Sequence, residues 1–157
     1  MDERKRAKHR ALYLLERCDR TEQELRTKLS RSYEPEIVEE AVRYVKQYGY
    51  IDDKRYAVNY LKSRGQVKSR RQVEQELLYK KGISREILEE ACQETEAQDE
   101  SLLIRRWMEK KHFSSETATV EEQRRLYLFL MRRGFRSEDI LRELKREEQG
   151  DWHSRDM

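Results

Sequence analysis

Two segments of this chain recur at nearly the same interval, and this constrains the fold more than any other feature. Ile37-Val38-Glu39-Glu40-Ala41-Val42 matches Ile87-Leu88-Glu89-Glu90-Ala91-Cys92, fifty residues on. Leu78 to Gly82-Ile83 resembles Leu130 to Gly134-Phe135, and a basic pair precedes the glycine in each: Lys80-Lys81 and Arg132-Arg133. Repetition at about fifty residues is the mark of stacked supersecondary units. The chain has one proline and five glycines in 157 residues, so little interrupts a helix. The expected fold is all-α: three tandem three-helix repeats, over 4–50, 51–97 and 98–149. A tail, 150–157 with Trp152, is expected to be mobile.

Local signals place the nine helices. Thr21 with Glu24, Ser69 with Gln72 and Thr119 with Glu122 form capping boxes. Pro35 suits a first helical position. Ser84 and Ser137 each follow a glycine and an apolar residue, and are expected N-caps. Apolar stripes at helical spacing run through Ala7, Ala11, Leu14, Leu15 and Cys18, through Ile37 to Val45 and Tyr48, and through Ile87, Leu88, Ala91 and Cys92. The last three stripes are Leu103-Trp107-Met108, Leu126-Tyr127-Leu130-Met131 and Ile140-Leu141-Leu144.

Charged residues make up 43% of the chain and hydrophobic ones 36%. Ordinary domains carry about 25% charged residues. So few apolar side chains suit several small cores in a row better than one large one. Nine tyrosines and a net charge of only +3 argue against disorder. Cys18 and Cys92 lack motif spacing and read as reduced core residues of a cytosolic protein. No run approaches the length of a membrane span, and the first ten residues are not of signal-peptide type.

Catalytic and metal-binding patterns are absent: no GxGxxG, no phosphate-binding loop, no CxxC, no HExxH. His9, His112 and His153 are isolated. Asp52-Asp53 could be imagined as an acid–base pair, but their place at a helix start favours capping. No enzyme, metal site or cofactor is expected.

The charges, in contrast, are segregated. Lys62, Arg64, Lys68, Arg70 and Arg71 form one basic segment. Arg124, Arg125, Arg132, Arg133 and Arg136 form another, and Arg4 to Arg10 opens the chain. Glu86 to Glu100 is acidic throughout. Such basic segments bind phosphates with counterion release, or an acidic protein surface, or simply stay solvated. Tyr60 and Tyr79 lie near them and could stack on bases, although Tyr56 and Tyr60 share an apolar stripe with Ala57 and Leu61. The candidate residues for binding DNA or an acidic partner surface are therefore Lys62, Arg64, Lys68, Arg70, Arg71, Lys80, Lys81, Arg132, Arg133 and Arg136.

Residues 49–64 read GYIDDKRYAVNYLKSR: a helix stop at Gly49, apolar anchors at Tyr50 and Ile51, a cap at Asp52 or Asp53, then a new helix. This segment resembles the signature of the RecX family, bacterial regulators of the RecA recombinase. Arg20-Thr21-Glu22-Gln23-Glu24-Leu25-Arg26-Thr27-Lys28-Leu29 resembles that family's early pattern, with Thr21 for serine. Lys81-Gly82-Ile83 resembles its central turn, and Leu126 to Phe135 its late F-L-x-R-R-G-F pattern. The likeness runs from about Ala7 to Lys145. The shared motif residues Gly49, Tyr50, Asp52, Asp53, Tyr56, Gly82 and Gly134 read as structural. One departure is the basic loop Gln66-Val67-Lys68-Ser69-Arg70 after Gly65.

The resemblance implies an elongated, curved array of repeats. It also implies a non-enzymatic protein that binds the groove of the RecA–DNA filament and inhibits recombination and DNA repair functions, including the SOS response. The partners it implies are the RecA filament and single- or double-stranded DNA, with no membrane. The chain is expected to be a monomer in the cytoplasm. The alternative is a freestanding helical nucleic-acid-binding protein that acts on recombination indirectly.

Overall fold

The computed structural model describes residues 2–97 and 99–145; the tail 150–157, with Trp152 and His153, lies outside them. The described residues form nine helices and no strand. They are α1 (Glu3–Arg17), α2 (Glu22–Leu29), α3 (Pro35–Gln47), α4 (Asp53–Arg64), α5 (Arg70–Tyr79), α6 (Arg85–Glu94), α7 (Ser101–Lys110), α8 (Val120–Arg132) and α9 over 137–145.

The caps explain the starts. Thr21 and Thr119 each accept the N–H of the glutamate three residues on, whose carboxylate returns to the cap backbone. Ser84 accepts from the Ile87 N–H at 3.2 Å, and Pro35 opens α3. Ser137 behaves differently. The first bond of α9 runs from the Ile140 N–H to the Arg136 carbonyl, and the Ser137 hydroxyl meets the Tyr127 hydroxyl at 2.7 Å.

The stops are equally local. At the end of α3, Gly49 (φ +73°) directs its N–H to Lys46 O, and Tyr50 directs its N–H to Val45 O. This is the Schellman closure, which requires a left-handed residue. Gly134 (φ +91°) closes α8 in the same way, with the Phe135 N–H on Leu130 O. At the end of α7 the same pair of bonds is made by His112 and Phe113, with His112 at φ +55°.

The chain divides into two compact units. Among the described residues, the first comprises those up to Lys62 together with Glu74–Glu96, and the second comprises Ser63–Val73 with those from Ala97 to Lys145. In the first unit, Ala7, Ala11 and Leu14 of α1 and Leu25 and Leu29 of α2 pack with Val38, Ala41, Val42 and Val45 of α3 and with Ile51. In the second, Leu103, Ile104, Met108, Leu126, Leu130, Phe135 and Ile140 form a core flanked by Trp107, Phe113 and Phe129. Each cluster is small, in keeping with the low apolar content.

The stripes differ from this packing at their ends. Tyr48 continues the α3 stripe yet is 60% exposed, because α3 has already reached its stop. Cys18 is exposed at the α1 C-cap, with extended backbone that turns it off the helical face. It is not a core residue. Cys92 is half-buried, its Sγ 3.3 Å from a Glu74 carboxylate oxygen.

Candidate interaction surface

Asp52 and Asp53 cap two different helices. Asp52 accepts the Arg55 N–H at 3.1 Å and so caps its own helix, α4. Asp53 reaches across to α2 and accepts the Glu22 N–H at 2.8 Å. Glu22 is the first residue of α2, where a backbone donor lacks an intrahelical partner. The start of α2 is held a second time, since the Thr21 hydroxyl lies 2.6 Å from the Lys81 carbonyl, sixty residues away.

The second unit repeats this construction. Ser69, the cap of α5, accepts the Gln72 N–H and donates to the Arg133 carbonyl at 2.5 Å. The N–H of Arg70, first in α5, donates to Glu100 at 2.7 Å. Both cap hydroxyls are fully buried. In each case a helix start is clasped by a carboxylate ahead of or within a later helix and by the carbonyl just before a left-handed glycine, Gly82 or Gly134.

Burial pushes the Asp53 carboxyl above its ordinary value, although the Glu22 N–H pulls it back. The Glu100 carboxyl is likewise raised, first by burial, with the Arg70 N–H opposing and Asp139 adding repulsion. Folded-state values above the unfolded ones mean that the native state holds protons the unfolded chain has released. These two groups therefore make stability fall as pH rises from the unfolded carboxylate range, about 4, through their raised folded values. Glu40, held down by its hydrogen bond from Arg4, and Asp99, held down by the Ser101 N–H, act in the opposite direction. The test is thus a comparison: Asp53→Asn with Glu100→Gln should flatten this fall relative to the parent in urea unfolding between about pH 4 and 7. Parallel curves would show that the two carboxyls do not titrate at the clasps.

The clasps also decide where the basic residues lie. The Lys81 ammonium is 3.5 Å from Glu24, and its carbonyl serves Thr21. The Arg133 guanidinium lies over the rings of Trp107 (4.2 Å) and Phe129 (4.8 Å). These two residues therefore have structural roles. In the second unit the clasp draws together segments about sixty residues apart: a Cβ on Gly134 would lie 3.2 Å from the Arg71 Cβ. Arg71, Arg132 and Arg136 are exposed around this point, with Lys68, Arg70 and Arg133 half-buried beside them. Lys62 and Arg64 at the end of α4 are also exposed, as is Lys80 at the foot of α5. Tyr60 is engaged, its hydroxyl 2.7 Å from Glu76 and its ring stacked on Tyr56. Tyr79 and Tyr50 are exposed.

Glu100 stands in the sequence only as the end of an acidic run, and the buried Glu143, whose carboxylate is 2.7 Å from Arg105 Nε, carries no sequence signal of its own. The alignment of Asp53 with Glu100, each close to the start of its helix, is the one available signal. Among the described residues no cluster of His, Cys, Asp and Glu could hold a metal ion, and no helix is long and apolar enough to cross a membrane.

Three family models match in chain order: the RecX first three-helix domain over residues 7–44, the second over 52–91 and the third over 99–144. The chain is 31% identical over 145 residues to regulatory protein RecX of Clostridium acetobutylicum, covering 88% of this chain and 67% of that one. It is 32% identical over 142 residues to regulatory protein RecX of Cronobacter sakazakii, covering 83% and 86%. For the Clostridium perfringens SM101 protein of the same name the figures are 29% over 138 residues, 85% and 65%. The chain thus spans about two thirds of the length of these clostridial relatives. The crystal structure of RecX from Lactobacillus salivarius superposes with a TM-score of 0.76 at 22% identity, covering 94% of this chain and 98% of that one. A crystal structure of a regulatory protein RecX gives 0.74 at 25% identity, covering 88% and 70%.

Proposed function

The chain belongs to the RecX family of regulatory proteins, and from this premise we propose that it regulates the RecA recombinase in the cytoplasm by binding along the RecA–DNA filament, as an inhibitor of recombination and repair. Each three-helix domain is a separate contact unit, with boundaries at 4–50, 51–97 and 98–149. A monomer that touches neighbouring filament protomers needs only weak individual contacts, because the second becomes intramolecular once the first has formed. Occupying the groove excludes a second DNA or a substrate protein without any chemistry.

One observation supports the choice of surface: the clasp at Gly134 brings Arg71 of α5 close to the turn that Arg132 and Arg136 flank, and all three arginines are exposed. The phosphates of DNA within a filament present complementary charge. The test is RecA ATPase and strand exchange with the parent and with Arg71→Glu, Arg132→Glu and Arg136→Glu combined. The half-maximal inhibitory concentration should rise at least about tenfold in the triple variant, a loss of about 1.4 kcal/mol in binding, and the parent should weaken with added salt. Undiminished inhibition would remove this surface from the interface. The indirect, nucleic-acid-binding alternative predicts that inhibition follows affinity for free DNA across variants; direct recognition predicts variants that inhibit without binding free DNA.

A further inference from the structure

Beyond that regulation, and independently of it, we propose that the pocket at the α7–α8 connection is a binding site for a nucleoside phosphate. The pocket is an open cleft of about 400 Å³, within the range of small-ligand sites. Its walls are of two kinds. Phe113, Phe129 and Leu126 supply apolar surface, while Lys111, His112 and Arg125 supply nitrogen donors and Ser114 a hydroxyl. The Lys111 ammonium sits 3.8 Å from the centre of the Phe129 ring, so a phosphate that draws the lysine away uncovers that part of the ring. A ligand that satisfies both kinds of wall carries a flat apolar body and an anionic group.

The donors are available. Arg125 is ion-paired only at 3.9 Å with Glu121, and both side chains are at least 80% exposed, a pair worth little. The acidic member of the lining, Glu122, is committed to the α8 cap, with its carboxylate on the Thr119 N–H and its own N–H on the Thr119 hydroxyl.

His112 is the residue that points to function rather than packing. It is the one non-glycine residue at positive φ among the described residues, at a helix stop of the kind that Gly49 and Gly134 make elsewhere in this chain. Glycine would adopt this conformation without strain. An imidazole held there at a conformational cost, on the wall of a pocket that also holds the Lys111 and Arg125 cations, fits a phosphate contact, since even neutral histidine keeps one N–H donor.

Titration of the full chain with AMP, adenosine and inorganic phosphate, followed by calorimetry and by amide shifts of residues 111–117, tests this. AMP should bind more tightly than either half alone. His112→Gly should keep or raise the thermal midpoint while weakening AMP about tenfold, and Lys111→Gln should weaken it similarly. A merely structural histidine would not separate stability from binding in this way. Competition by a 5′-phosphorylated trinucleotide would identify a strand end as the source of the nucleotide; failure to compete would identify the free nucleotide. No AMP binding at about 1 mM, phosphate binding as tightly as AMP, or undiminished binding by His112→Gly would each overturn the proposal.

Discussion

Gly134→Ala is expected to destabilise the protein by about 3 kcal/mol, while Gly49→Ala costs about 1. Both glycines are left-handed, so both alanines incur the same backbone strain. The difference is space. Nothing lies within 4 Å of a Cβ built on Gly49, whereas one on Gly134 would meet Ser69 Oγ at 2.7 Å and Gln72 N at 3.4 Å. Ser69 cannot retreat cheaply, because its buried hydroxyl both donates to Arg133 O and accepts from the Gln72 N–H. Gly82→Ala should fall between the two or match Gly134→Ala. Its Cβ would lie 2.6 Å from the Gln23 Cβ and Cγ, and although the end of Gln23 can rotate, its Cβ moves only with α2. Asparagine, which tolerates positive φ, should recover part of the loss at position 49 and none at 134. Urea unfolding reads all of these. If the three alanine variants agree within about 0.5 kcal/mol, the clasps do not contribute and only backbone strain is being measured.

These glycines also show what was legible in the sequence. Their left-handed conformation followed from their place after helical stripes, and the repeat of the basic pair plus glycine was visible at once. Their second role was not, because no local rule relates Gly82 to Gln23 or Gly134 to Ser69. Thr21 and Ser69 were readable as caps from the glutamate or glutamine three residues on, yet a capping box says nothing of a hydroxyl proton donated sixty residues away. Asp52 and Asp53 were readable only as a pair, since either could cap α4, and the geometry alone sends Asp53 to α2. At the surface, charge runs marked the basic residues but not their use. Lys81 and Arg133 look like Lys80 and Arg132 in sequence, and differ because their carbonyls and side chains are engaged at the clasps. This bears on truncation experiments. A chain ending near Glu96 would remove the residues that Ser69 and Arg70 bond to, so a loss of inhibition would mix lost contacts with a damaged α5. Point reversals at exposed arginines avoid that.

Removing Arg105 should have the other large effect on stability, about 2 kcal/mol for Arg105→Met, because the buried Glu143 carboxylate loses a charge-assisted hydrogen bond. Glu143, on α9, is only 2% exposed, and its carboxylate receives the Arg105 Nε–H at 2.7 Å. Methionine keeps most of the arginine stem's packing, so the loss reports the charge and not the volume. The arginine itself is 39% exposed, which limits what its own desolvation costs and makes the buried glutamate the sensitive partner. The double variant Arg105→Met with Glu143→Leu distinguishes burial of a charge from general damage. With the carboxylate gone, no buried charge remains at position 143, which lies one helical turn after the core residue Ile140. The double variant should therefore be more stable than Arg105→Met alone, by about 1–2 kcal/mol. A double variant that loses the sum of the two single losses would mean that Glu143 is held by its wider hydrogen-bonding surroundings and that the pair itself adds little.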